Sequence, residues 1–117
     1  MKALIIDDEI DICYLLSSIL RSRQIQSYTV NSLSEARNAL KEQDAEIIFL
    51  DNHLPDGMGV DFVQQIKKHK PYSKVVMITA YDTASDRKRA EAEGVDFFIA
   101  KPFTKDIIHQ TVDLFTV

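Results

Sequence analysis

The sequence predicts a doubly wound α/β domain, a parallel sheet of five strands with five helices packed on its two faces. Three observations lead there. Short, continuous apolar runs recur along the chain. Segments with helical periodicity separate them. Asp7-Asp8, Asp51, Thr79 and Lys101-Pro102 each fall where an apolar run ends. Continuous apolar runs mark strands buried on both faces, and strands that alternate with helices pair in parallel through right-handed crossovers.

The elements follow in order. Ala3–Ile6 reads as the first buried strand. Ile12, Leu15, Leu16, Ile19 and Leu20 follow at the spacing of an amphipathic helix. Ile25–Val30 is more polar and alternates, as an edge strand does. Ser32 and Glu35 form a capping-box pattern ahead of Ala36, Ala39 and Leu40. Ile47–Leu50 is a fully apolar third strand. Val60, Phe62, Val63 and Ile66 mark a third helix that Pro71 ends. Val75–Ile78 is the fourth strand, and Val95–Ala100, broken by Asp96, is the fifth. Between them, a helix at about Thr83–Glu93 offers only Ala84, Ala90 and Ala92 to a core. With so little to bury, it is expected to be the most weakly anchored of the five. Ile108, Val112 and Phe115 mark the last helix, with Thr104 at its N-cap.

A chain of 117 residues makes one domain, spanning 1–117, that buries roughly 65% of its unfolded surface. Net charge is −4, with no basic stripe of the kind nucleic-acid binding needs. The apolar runs are far shorter than the ~20 residues of a membrane span, and the N-terminal run stops at acids. A single cysteine, Cys13, excludes an intrachain disulfide and fits a reducing compartment. The expectation is a cytoplasmic protein that binds neither nucleic acid nor membrane.

Three carboxylates, a hydroxyl and an ammonium at strand ends are the groups needed to move a phosphoryl group with a divalent metal. A hard cation takes oxygen ligands, and a phosphoryl in transfer needs positive charge and hydrogen-bond donors. Adjacent acids such as Asp7 and Asp8 repel unless water or a cation screens them. A carboxylate such as Asp51 can attack phosphorus. Each residue alone has an ordinary reading: Asp8-Glu9 suits a helix N-terminus, Asp51-Asn52 a turn, Thr79 a strand and Lys101 an exposed surface. Ligands of open α/β sheets bind outside the carboxyl ends of the strands, where all of these residues fall.

Taken together, from residue 1 to about 115, the pattern resembles the receiver domain of two-component response regulators, chemotaxis-regulator-like. The acid pair follows strand one, Asp follows strand three, Thr-Ala follows strand four and Lys-Pro follows strand five. Asp51-Asn52-His53-Leu54-Pro55-Asp56-Gly57-Met58-Gly59 is similar to the family's loop after its phosphorylated aspartate, and Lys101-Pro102-Phe103 to its closing motif. The resemblance implies the flavodoxin-like strand order 2-1-3-4-5. It implies that a sensor histidine kinase or phosphotransfer protein phosphorylates Asp51. Mg²⁺, or Mn²⁺, would be held by Asp8, Asp51 and the His53 backbone carbonyl, with Asp7 acting through water. Thr79 and Lys101 would bind the phosphoryl, and the Lys101–Pro102 bond is commonly cis in the family. Thr79 and Phe98 match its conformational switch, read out at helix 4, strand 5 and helix 5. His53 and Tyr81 match positions that set the phosphoryl's lifetime, and both are bulky here. Such a domain is not a conventional enzyme, although it catalyses its own phosphorylation and slow dephosphorylation. Its signal would pass to a downstream effector or to an output domain beyond this chain, with phosphorylation-dependent homodimers as one route.

Other classes fit less well. An interaction-only receiver has no use for the intact Asp7, Asp8, Asp51, Thr79 and Lys101. A haloacid-dehalogenase-like phosphatase places its nucleophile after strand one, with a second Asp two residues on. A flavodoxin-like nucleotide binder needs a Gly-rich loop after strand one, and none is present.

Overall fold

The computed structural model describes residues 1–115. Thr116 and Val117, which the sequence reading places after the last helix, lie outside the described residues. The elements alternate as expected: β1 (Lys2–Ile6), α1 (Ile10–Arg21), β2 (Gln26–Val30), α2 (Leu33–Glu42), β3 (Ile47–Asp51), α3 (Val63–His69), β4 (Lys74–Thr79), α4 (Ala84–Glu93), β5 (Phe97–Ala100) and α5 (Lys105–Phe115). All neighbouring strands of the sheet pair in parallel, in the order β2-β1-β3-β4-β5. The chain leaves β1 toward one side to form β2, then crosses back to form β3. That reversal opens a crevice at the carboxyl ends of β1 and β3.

The strands' period of two divides the core between the two faces. Leu4, Ile6, Ile48, Leu50, Val75 and Met77 point to α2, α3 and α4, whereas Ala3, Ile5, Ile47, Phe49, Val76 and Ile78 point to α1 and α5. In β1, β3 and β4 every residue except the opening Lys2 and Lys74 is buried, which explains their unbroken apolar runs. β2, at one edge, has no fully buried residue.

Local sequence sets most helix ends. The Ser32 hydroxyl accepts from the Glu35 amide at 3.1 Å, and the hydroxyls of Thr83 and Thr104 cap α4 and α5 in the same way, at 3.0 and 3.2 Å. The Glu35 carboxylate reaches back to the Asn31 amide and the Ser32 hydroxyl rather than to the Ser32 amide, so the capping box is only half formed. Gly94 ends α4 at φ 103°, which favours glycine.

Four details differ from the expectation. In α1 the buried stripe is Cys13, Leu16, Ile19 and Leu20, whereas Leu15 is 47% exposed. The third helix begins with a 3₁₀ turn, Gly59–Phe62, and becomes α-helical only at Val63. The fifth strand starts at Phe97, not Val95. There the Asp96 amide still donates to the Val75 carbonyl at 2.9 Å, but its carboxylate accepts the Val75 amide at 2.8 Å and pairs with Lys67 at 2.6 Å. Asp56 does more than fill a loop: its carboxylate accepts the free amides of Leu33 and Ser34 at 2.9 and 3.0 Å, and these interactions hold its carboxyl below the usual range. The loop after β3 is thereby fastened to the start of α2.

The same loop closes tightly on β3. The Gly59 amide donates to the Asn52 carbonyl at 2.8 Å, and the Asn52 side chain accepts the Val60 amide at 2.9 Å. A β carbon at position 59 would overlap the Asp51 carbonyl oxygen. Gly59→Ala is therefore expected to destabilise the domain by ~1–3 kcal/mol, as overpacking does, measured by urea unfolding.

Candidate functional site

The rim at the carboxyl ends of the strands gathers the predicted residues. Asp7 extends β1 by one bond, its amide donating to the Val30 carbonyl at 3.1 Å. Asn31 Nδ2 and Cys13 Sγ donate to the Asp7 carbonyl at 2.9 and 3.2 Å, fixing the acid pair's backbone. Asp51 is the last residue of β3, and Thr79 the last of β4. The Lys101 amide donates to the Thr79 carbonyl at 2.8 Å, which sets the lysine beside the β4 exit. The Lys101–Pro102 bond is cis.

Asp7 and Asp51 are 3% and 5% exposed, and Thr79 is fully buried. Lys101 Nζ lies 3.0 Å from Asp7 Oδ2, 3.0 Å from Glu9 Oε1 and 3.7 Å from Asp51 Oδ2. Carboxylate oxygens of Asp7, Asp8, Glu9 and Asp51 all lie within 4.8 Å of one another. Four acids thus face one ammonium. Burial, then the neighbouring Asp7 carboxylate, pushes the Asp51 carboxyl up to about 6 against the pull of Lys101. Burial also raises Asp7, opposed by the Glu9 amide and Lys101. For Lys101, burial favours the neutral form, but its bonds to Asp7 and Glu9 outweigh it and raise its pKa.

This donor set fits a divalent hard cation. It consists of carboxylate oxygens, two of them buried, and carries more negative charge than Lys101 can balance. The cleft beside it, about 260 Å³, is lined by Asp51, Thr79 and Lys101 among others. A larger groove of about 410 Å³ lies beside Pro71 and Tyr72, but its Lys70 is already paired with Asp44. Chemistry rather than volume marks the site.

His53 and Tyr81 stand at the cleft mouth, with ring centroids 4.2 Å apart and planes tilted by 53°. The Tyr81 amide donates to Thr79 Oγ1 at 3.2 Å. Phe98 is half-buried on β5, away from the acids, and the Arg87 guanidinium lies 4.6 Å from its ring centroid while pairing with Asp82. That cation–π contact ties α4 to β5. Sequence reasoning did not single out Glu9 or Arg87. Glu9 read as an acid at a helix start, and nothing in the sequence set Arg87 apart.

Residues 3–113 match the response regulator receiver domain family. This chain belongs to that family. The receiver is 38% identical over 101 residues to response regulator protein PilR of Pseudomonas aeruginosa, a match covering 86% of this chain and 23% of PilR. It is 30% identical over 115 residues to transcriptional regulatory protein BasR of Escherichia coli, covering 96% of this chain and 50% of BasR. The receiver therefore spans half or less of these relatives' length. Among solved structures, a two-component response regulator from Clostridium difficile superposes with a TM-score of 0.94 at 25% identity, covering 98% of this chain and 94% of that one. The beryllofluoride-activated NtrC4 receiver domain dimer superposes with a TM-score of 0.92 at 33% identity, covering 97% of this chain and 94% of that one. Among the described residues, no helix is long and apolar enough to cross a membrane.

Because the Asp51 carboxyl is raised on folding, the native receiver binds a proton more tightly there than the unfolded chain does. Its ionisation erodes stability as pH rises from the unfolded value of 3.8 to the folded value of about 6, and the penalty is complete above that. In metal-free buffer at pH 7, Asp51→Asn should be more stable than wild type by on the order of 2 kcal/mol. The gap should close below about pH 4, as followed by urea unfolding across the range.

Proposed function

We propose that this receiver is a phosphoryl-accepting switch in a two-component pathway, with Asp51 as the acceptor. The observation that carries the reading is the setting of Asp51: a buried carboxylate at the β3 exit, 3.7 Å from Lys101 and grouped with three further acids. The phosphoryl donor is the phosphohistidine of a sensor histidine kinase or phosphotransfer protein. An Asp51 carboxylate oxygen attacks phosphorus. A P–O bond forms as the P–N bond breaks, and the electron pair stays on the departing imidazole nitrogen. Hydrolysis later brings water to phosphorus, breaks that P–O bond, releases inorganic phosphate and restores the carboxylate.

Each wall of the cleft has a part. Asp8, Asp51 and the His53 carbonyl, with Asp7 acting through water, are the residues that would hold Mg²⁺ or Mn²⁺. When bound, the cation offsets the negative charge gathered between carboxylate and phosphoryl. The Lys101 ammonium supplies fixed positive charge, and the Thr79 hydroxyl donates to a phosphoryl oxygen. As Thr79 turns toward the phosphoryl it vacates space into which Phe98 packs, a population shift between two states. Phe98 lacks a hydroxyl, so it signals by packing alone. α4 buries only Ala90, and that thin anchorage suits it, with β5 and α5, as the readout face. The receiver acts in the cytoplasm, on a downstream effector or an attached output domain, with phosphorylation-dependent homodimerisation as one route to output.

The His53–Tyr81 pair shields the approach of hydrolytic water. Incubation with ³²P-labelled acetyl phosphate and Mg²⁺ should label wild type and leave Asp51→Asn unlabelled, whereas an interaction-only receiver takes no label. In the same assay, His53→Ala and Tyr81→Ala should lose label ~3–10-fold faster than wild type. Label that survives Asp51→Asn contradicts the assignment, and unchanged decay contradicts the shielding.

A further inference from the structure

The Lys101 ammonium rests closer to Asp7 and Glu9 than to Asp51. Its 3.0 Å contacts go to Asp7 and Glu9, which flank Asp8 in the turn after β1, and Asp51 lies 3.7 Å away. Glu9 closes a ring with them, since its own amide donates to Asp7 Oδ1 at 2.9 Å. The second observation concerns what Glu9 forgoes. It occupies the N-cap of α1 with extended backbone, at φ −87° and ψ 108°, yet its carboxylate makes no cap hydrogen bond. The short side chains favoured at that position, Ser, Thr, Asp and Asn, turn to the free amides of the first turn, whereas that of Glu9 does not. Here it reaches across the cleft to the opposite end of the sequence.

From these contacts we propose that Glu9 is a positioning residue: a resting tether that holds Lys101 against the β1 side of the cleft until a phosphoryl group on Asp51 draws it away. The proposal rests on the phosphoryl-accepting role of Asp51. The Glu9 side chain is 58% exposed, whereas that of Lys101 is 9% exposed. An ion pair with one partner so open to water is weak. It suffices to bias where the ammonium rests, and it yields to the stronger charge of a phosphoryl group. Without the tether, Lys101 is left with Asp7 and Asp51, and its charge sits closer to the acceptor before the donor arrives.

Two variants separate reach from charge. Glu9→Gln keeps the length and removes the charge. Glu9→Asp keeps the charge and shortens the reach toward Lys101 by one methylene. Both are expected to accept phosphoryl from acetyl phosphate about threefold faster than wild type at saturating Mg²⁺. If net charge alone mattered, Glu9→Asp would behave as wild type, and that result overturns the tether. A slower rate in both variants would overturn it too, and would make Glu9 a direct participant. The second readout needs no phosphoryl transfer: the ¹⁵Nζ resonance of Lys101 in the metal-free protein should shift in both variants. If it shifts while even wild type takes no label, the tether stands and the acceptor assignment fails. If wild type is labelled and the resonance stays fixed in both variants, the tether fails and the acceptor assignment stands.

Discussion

Four carboxylates share a strand-end crevice with a single ammonium, and that imbalance governs how the receiver behaves. Asp7, Asp8, Glu9 and Asp51 crowd within 4.8 Å, and Lys101 is the one cation bonded among them in the described residues. Burial sharpens the conflict, because Asp51 and Asp7 cannot dilute their charge in water. Burial first, and then the Asp7 charge, raise the Asp51 carboxyl. A native state that carries such a penalty gives up stability at its functional centre, and anything bringing positive charge into the crevice recovers it. The charge on Asp51, its proposed relief by a cation and the position of Lys101 are thus one electrostatic problem seen from three sides.

The fold creates the conflict and withstands it. Strand order β2-β1-β3 places the exits of β1 and β3 side by side, and their nearly complete burial leaves those exits little freedom. The loop beyond Asp51 is fastened by Asn52, Gly59 and Asp56, so the Asp51 backbone has a fixed path. Opposite this rigid half lies a looser one. α4 is held by Ala90 and by polar ties: Arg89 to Asp61, Gln64 to Glu93, and Arg87 to Asp82 and the Phe98 ring. Exposed polar ties are individually weak and can be exchanged at small cost. A change at Thr79 or Phe98 therefore meets little resistance from α4.

Much of this was legible before any coordinates. β1, β3 and β4 are buried on both faces, so each appears as an unbroken apolar run, and the polar residue closing each run falls at the rim. The small apolar set of the fourth helix also reads directly as thin anchorage. What escaped detection was set by contacts distant in sequence. Asp96 belongs to an apolar run by position, yet its carboxylate serves the Val75 amide and Lys67. Asp56 resembles an ordinary turn acid but caps a helix that begins 23 residues earlier. Glu9 sits where an acid favours a helix dipole, and nothing local reveals that Lys101, 92 residues on, takes its carboxylate instead. Periodicity reports which face of an element is buried. It is silent about which charged groups meet when the elements come together.

The central claim is that uncompensated carboxylate charge in this crevice is what a divalent cation relieves. Thermal unfolding at neutral pH, with and without saturating Mg²⁺ and with NaCl at matched ionic strength, tests it most directly. Mg²⁺ should raise the midpoint of wild type by about 4 °C or more, NaCl should do far less, and the Mg²⁺ effect should largely vanish in Asp51→Asn. A midpoint that Mg²⁺ leaves unmoved, or that NaCl raises equally, would contradict the account.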